Sequence, residues 1–219
     1  MTSFSEQLKT KYSEQFKKAT QHEFTEELVR GILSDDKLLV YLIQDLKFFQ
    51  FGLRLTCKLA SLSDDDKAQI AISKQIGFFA NDENDYFTKA IEEVSNTTNF
   101  DVKSLILQKT QRYVLYLKNL LENPKISYAQ LVTVIYVMED VYLEWAQRGI
   151  DTHVIPIDLP YKYKEWIDLH SGAGFTSWVK LLKDEVDRVG DLTCEKFFQD
   201  ILNLEYDFFD ACYNYNNFK

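Results

Sequence analysis

The sequence predicts an all-α protein, a single-domain bundle of eight or nine helices joined by short loops. Two observations carry this. Seven glycines and three prolines in 219 residues are too few breakers for a sandwich or barrel, which needs a turn roughly every 8–12 residues. Apolar residues also recur at steps of three and four over most of the chain, while strict alternation is scarce. No repeat, low-complexity tract or linker divides the chain, so residues 1–219 are expected to form one helical domain.

The elements follow in order. A first helix is expected from Ser5 to Thr20, with Leu8, Tyr12 and Phe16 facing inward, and a short one from Glu23 to Leu33. Asp35 and Asp36 place negative charge at the start of a long helix through Leu62, and Ser63 to Asp66 do the same for a helix running to Val94. The polar run from Ser95 to Asn99 interrupts the pattern. Asp101 begins a helix to Glu122, and Asn123-Pro124 ends it, because the residue before proline disfavours the helical backbone. Ser127 caps a helix reaching Arg148, with Gly149 as its stop. Pro156 and Pro160 bracket an extended connector. Beyond it, a brief helix runs from Tyr161 to Leu169, another starts near Gly172 and Gly174 and ends at Val189, and the last runs from Gly190-Asp191 to Tyr213.

The charge balance narrows the function. Lysine and arginine number 25 against 34 acidic residues, a net charge of −9 that repels phosphate backbones and anionic membranes. The short basic clusters at Lys9-Lys11 and Lys17-Lys18 are interleaved with Glu6 and Glu14, as on a solvated helix face, so neither nucleic acid nor membrane is expected as a partner. Cys57, Cys194 and Cys212 have no paired spacing, and no apolar run approaches the ~18 residues of a spanning helix, which points to the cytoplasm. A bundle-type metal site needs Glu-x-x-His pairs, and none of His22, His153 and His170 has a glutamate three residues before it. Gly172 and Gly174 lack the third glycine and the strand of a dinucleotide fingerprint. No metal or other cofactor is expected.

Three helices carry an acid where the core should be, which is costly unless something there uses it. In the last helix Glu205 sits at the centre of the stripe Phe198, Ile201, Phe208 and Cys212; in the Asp35 helix Asp45 sits between Leu38, Leu42, Phe49 and Gly52. In the Ser127 helix Glu139 lies beside the stripe Ile135, Met138, Tyr142 and Trp145. A single such carboxylate reads as paired or reaching water at a bundle end. Three, each flanked by aromatics and none with an arginine within a turn, read as a shared polar pocket. Tyr113, Tyr116, Tyr136 and Tyr142 can supply hydroxyls and flat walls there. Phe16, Phe78, Phe79 and Phe197 are expected to fill ordinary core.

Four places resemble the thiaminase II family, also called the TenA family. His22-Glu23-Phe24 is similar to its His-Pro-Phe opening, and Leu42-Ile43-Gln44-Asp45 followed by Phe48-Phe49 to its Leu-x-Gln-Asp with aromatics. Trp166-Ile167, the glycine segment and Trp178 resemble its penultimate region, and Glu205-Tyr206-Asp207-Phe208-Phe209 its terminal Glu-Tyr-x-Phe-Trp. The resemblance implies a haem-oxygenase-like, TenA-like helical bundle that hydrolyses aminopyrimidine products of thiamin breakdown, commonly as a homo-oligomer, here a dimer or tetramer. By resemblance Asp45 would accept hydrogen bonds from the pyrimidine's exocyclic amine, Glu205 would donate a proton to the departing amine, and Phe208 and Tyr113 would sandwich the ring.

The departures are as informative. The better-known branch has a catalytic cysteine on the helix matching Leu131 to Trp145, whereas this chain has none between Cys57 and Cys194. Met138-Glu139-Asp140-Val141-Tyr142 resembles the second branch, in which a glutamate takes over, so that Glu139 would activate water with Glu205 as its acid partner. Phe48 replaces a tyrosine common after Gln-Asp, and His170 falls where a tyrosine often touches the ring. The expected catalytic residues are therefore Glu205 and Glu139, and the expected substrate-binding residues Asp45, Phe48, Tyr113, Tyr116, Tyr142, His170 and Phe208. The expected substrate is 4-amino-5-aminomethyl-2-methylpyrimidine or its N-formyl derivative; the alternative is a TenA-like protein that binds an aromatic ligand without turnover or serves as a structural oligomer.

Overall fold

The computed structural model describes residues 2–98 and 105–216, and its regular elements are helices. In order they are α1 (Phe4–Lys11), α2 (Ser13–Thr20), α3 (Glu23–Val29), α4 (Asp35–Leu62) and α5 (Asp66–Phe78). A π-helical turn (Phe79–Glu83) leads into α6 (Asn84–Ser95), followed by α7 (Gln108–Glu122), α8 (Tyr128–Asp151), α9 (Tyr161–Ser171), α10 (Ala173–Val189), a 3₁₀ turn (Leu192–Cys194) and α11 (Glu195–Tyr213). None of these helices is long and apolar enough to cross a membrane. The buried apolar side chains form one cluster around α8, which is buried continuously from Leu131 to Met138 and packs against α4, α9, α10 and α11.

The helix starts obey local chemistry. Ser34 and Asp65 accept from the backbone N–H groups of Lys37 and Ala68, and Ser127 forms a reciprocal capping box with Gln130. The stop of α7 uses a distant residue: Lys58 on α4 donates to the carbonyls of Leu120, Leu121 and Asn123, neutralising the negative helix end.

Four expectations are corrected. The first helix is broken at Tyr12, whose backbone leaves the helical region (φ −108°, ψ 26°). Its buried ring packs on Phe198 and its hydroxyl donates to Glu195, so α1 follows α10 while α2 follows α11. The helix expected from Ser63 to Val94 is interrupted by the π turn, where Phe79 packs edge-on against Trp178 and Phe49. Gly149 does not stop α8 but lies inside it, because a Cβ there would meet Val29 Cγ1 at 3.0 Å; the glycine permits close approach of α3. Phe16, Phe78 and Phe197 are only half-buried, and of that expected core set Phe79 alone is buried. The start at Asp101 lies outside the described residues.

Candidate active site

Adjacent residues on α4 divide the work. Gln44, fully buried, donates from Nε2 to the Leu105 carbonyl (3.1 Å) and accepts from the Leu107 N–H (2.9 Å), tying the approach to α7 onto α4. Asp45, one position on, turns to the bundle interior and lines a cavity with Phe48, Phe49, Glu83, Met138, Glu139, Tyr142, Trp166 and His170. A second lobe shares Phe48, Phe49, Glu83, Met138 and Glu139 and extends to Thr56 and Phe79. Each lobe measures about 40 Å³, room for a few waters but not for a heterocycle, so a ring enters only if a wall side chain swings. Phe48 and Phe49 are the half-buried aromatic walls shared by both lobes.

Of the nine residues predicted from sequence, the structure brings five to this cavity: Asp45, Phe48, Glu139, Tyr142 and His170. Glu205, Tyr113 and Phe208 form the layer behind it. Phe48 packs on the Tyr113 ring (4.8 Å between centroids) and on Phe208 (6.1 Å), and Tyr113 donates to Glu205 Oε1 at 2.6 Å in a fully buried pair. Tyr116 is not brought in. One helical turn beyond Tyr113, it points outward and donates to Asp200 (3.2 Å), which Lys196 also holds.

The aromatic wall is fixed by its own contacts. Trp166 Nε1 donates to the Tyr41 hydroxyl (3.1 Å), which is 3.1 Å from the Tyr142 hydroxyl, while the Trp166 ring stacks on Tyr86. His170 lies edge-on to Trp166 and Phe175. Its Nδ1 faces the Trp166 carbonyl at 2.8 Å. A carbonyl only accepts, so the proton sits on Nδ1 and Nε2 is left as an acceptor. Burial holds this imidazole neutral, with its pKa lowered to about 4.

The electrostatics are one-sided. Asp45, Glu83 and Glu139 line the cavity, Glu205 stands one layer back, and among the described residues no lysine or arginine lines either lobe. Burial raises Asp45 to about 7 against an opposing hydrogen bond from Tyr41, and raises Glu139 to about 8 against the Trp178 indole. Burial likewise raises Glu205 to about 8, with Tyr113 working in the other direction and the charges of Asp45 and Glu139 adding to the rise. Glu83 is pushed well above the carboxylate range by burial and by the charges of Glu139 and Asp45. One oxygen each of Asp45, Glu83 and Glu205 is buried without a hydrogen-bond partner. Orphaned acceptors of this kind, facing one interior, suit a ligand rich in N–H donors or carrying positive charge.

Glu83, Tyr41 and Trp166's hydrogen bond were not anticipated. Glu83 had a signal: Phe79, Glu83, Phe87, Ala90 and Val94 step by four, four, three and four, all buried, the same pattern that singled out Asp45 and Glu205. The surrounding Asn81-Asp82-Glu83-Asn84-Asp85 reads as a solvated run and masked it. A much larger concavity, about 620 Å³, lies elsewhere, in a mostly apolar groove between α5, α9 and α10. It meets the site through Phe175, which packs on His170, and through Phe78 and Trp178, which pack on Phe79.

Residues 9–215, nearly the whole chain, match the TENA/THI-4/PQQC family. The chain belongs to this family. Its fold is that of other TenA proteins: a TenA homologue from Pyrococcus furiosus superposes with a TM-score of 0.82 at 20% identity, covering 96% of this chain and all of that one. A TenA homologue from P. horikoshii OT3 gives 0.78 at 17% identity, covering 97% of this chain and 99% of the other. A putative TenA-like thiaminase from Sulfolobus solfataricus P2 gives 0.68 at 19% identity, covering 95% of each chain. No curated relative matches the sequence. At such identities the structural matches establish the TenA fold, and the all-α bundle expected from sequence is the fold observed.

Proposed function

We propose that this TenA-family protein hydrolyses a C–N bond of an aminopyrimidine, converting 4-amino-5-aminomethyl-2-methylpyrimidine or its N-formyl derivative to products that return the thiamin pyrimidine to use. It belongs on this reading to the branch without a catalytic cysteine. The observation that carries the reading is the convergence of Asp45 and Glu139 on one aromatic-walled cavity without a thiol. Cys57 is exposed on α4, Cys194 is buried in the 3₁₀ turn, and Cys212, also buried, is held neutral by desolvation. The thiaminase description of the Sulfolobus neighbour supports the same class of chemistry.

The residues divide as follows. Asp45, its second oxygen free, accepts from the amino group and ring edge of the pyrimidine. Tyr142, Trp166 and Phe48 flank the ring, and His170 Nε2 accepts a further N–H. Glu139 takes a proton from water as its oxygen adds to the carbon, the C–N bond breaks, and a carboxyl kept protonated by burial gives its proton to the departing nitrogen. Glu205 and Glu83, both raised by burial as Glu139 itself is, are the two carboxyls beside it that could give that proton. The same reading carries a cytoplasmic homo-oligomer, dimer or tetramer, whose mass is checked by light scattering.

The test is ammonia or formate release from the two pyrimidines by the purified protein. Turnover that falls about 10²-fold or more in Glu139→Gln, with the fold intact, supports the reading. No release from either compound overturns it. A thermal shift with hydroxymethylpyrimidine but no turnover would favour a binding protein instead, since ligand at about 100 times its Kd stabilises by roughly 2.7 kcal/mol.

A further inference from the structure

Glu83 closes the π turn between α5 and α6 and lies on the buried face of the chain there. A π turn adds a residue to the helical repeat, and such insertions are over-represented at functional sites. Here the turn spans Phe79–Glu83; its first residue packs on Trp178 and its last enters both lobes of the cavity. Glu83 and Glu139 are the two carboxyl residues that line both lobes, whereas Glu205 lines neither and has one oxygen engaged by Tyr113 behind Phe48. Glu83 Oε2 is buried without a partner, and the residue is 8% exposed. Among the described residues no lysine or arginine lines the lobes with it: the titratable groups there are Asp45 from α4, Glu139 and Tyr142 from α8, and His170 from α9.

From this placement we infer that Glu83 is a catalytic acid of the site, paired across the cavity with Glu139 as base, and that Glu205 acts as a positioning residue behind them. The inference rests on the proposed hydrolysis and assigns its proton donor. In the step, a water oxygen bonds to the methylene or formyl carbon while the C–N bond breaks with its electron pair leaving on nitrogen. The water proton goes to the Glu139 carboxylate and the Glu83 proton goes to the nitrogen. The pair ends with Glu139 protonated and Glu83 ionised, the same total, and one proton passing between them through water restores the start. The environments of the two differ: Glu83 is buried with one oxygen lacking a partner, while Glu139 is half-buried beside the water-sized space of the cavity.

An acid catalyst is needed only when the leaving group must be protonated. The experiment compares two pyrimidines, one with an aminomethyl arm and one with a methylpyridinium arm, whose pyridine departs without a proton. Glu83→Gln should lower kcat on the amine by about 10²-fold or more and change kcat on the pyridinium less than about threefold. Glu83→Asp, which keeps the carboxyl, should retain more of the amine activity than the glutamine variant. Glu205→Gln should reduce both substrates together. If Glu83→Gln does not fold, the wild-type pH profile decides: the amine reaction must lose rate as the acid ionises on the alkaline side, in parallel with a limb that Glu83→Asp displaces, while the pyridinium reaction does not. Amine turnover within threefold of wild type in Glu83→Gln overturns the assignment, as does equal loss on both substrates. Selective loss of the amine reaction in Glu205→Gln alone would return the acid role to Glu205 and leave the hydrolase reading intact. Wild-type protein inert to both substrates overturns the hydrolase reading and this inference with it.

Discussion

Glu205→Gln should change the pH dependence of folding in a calculable way. The Glu205 side chain is fully buried, and its pKa rises from an ordinary 4.5 to about 8. Below pH 4.5 the group is protonated folded or unfolded and costs nothing. Between 4.5 and 8 only the unfolded chain ionises, so stability falls with rising pH by about 1.4 kcal/mol per unit; above 8 the loss is complete. Two units, from pH 6 to pH 8, with the rounding near the folded pKa, give a loss of about 2 kcal/mol from this residue. Glutamine keeps the shape and the Tyr113 contact but cannot ionise. Urea unfolding of both proteins at pH 6 and pH 8 isolates the effect, because the other buried acids titrate in both. The stability of the variant relative to wild type should improve by about 2 kcal/mol between the two pH values. A difference that stays constant within about 0.5 kcal/mol would refute the claim that Glu205 is held neutral by its surroundings.

Three further substitutions test the scaffold. Tyr113→Phe leaves both Glu205 oxygens buried without a donor, a cost of about 1–3 kcal/mol that calorimetry should register as a Tm lowered by about 2–4 °C per kcal/mol. Gly190→Ala puts a Cβ 2.4 Å from the Val186 carbonyl and 2.6 Å from the Phe4 ring, which cannot both give way cheaply; a loss of about 1–3 kcal/mol in urea unfolding is expected. Gln44→Leu removes both hydrogen bonds to the segment before α7, and amide hydrogen exchange at Leu107 should accelerate markedly while exchange in α8 holds.

The seam argument shows both the reach and the limit of periodicity. Asp45 and Glu205 interrupt stripes of apolar residues at steps of three and four, and both are buried in the bundle interior, because a residue's angular position on a helix is fixed by its number. The same rule placed Tyr116 on the Tyr113 face, yet a shift of one turn carries its hydroxyl out to Asp200. Glu139, beside its stripe instead of on it, faces the cavity because α8 is surrounded by helices on nearly all sides. Gly149 read as a stop, since glycine ends many helices; here it serves a helix crossing that no local pattern announces.

The sequence by itself determined that this chain is a helical bundle, roughly where its helices start, and which carboxylates must be turned inward. Those outcomes depend on backbone propensity, capping and angular repeat, all properties of neighbours in the chain. Only the tertiary structure decided which carboxylates meet. It brought Glu83, at the end of the π turn, to the cavity that Asp45 and Glu139 line, and set Glu205 behind Phe48 under the Tyr113 hydroxyl. Depth and axial level in a bundle come from how side chains of different helices interlock, and a helix's own periodicity carries no record of them.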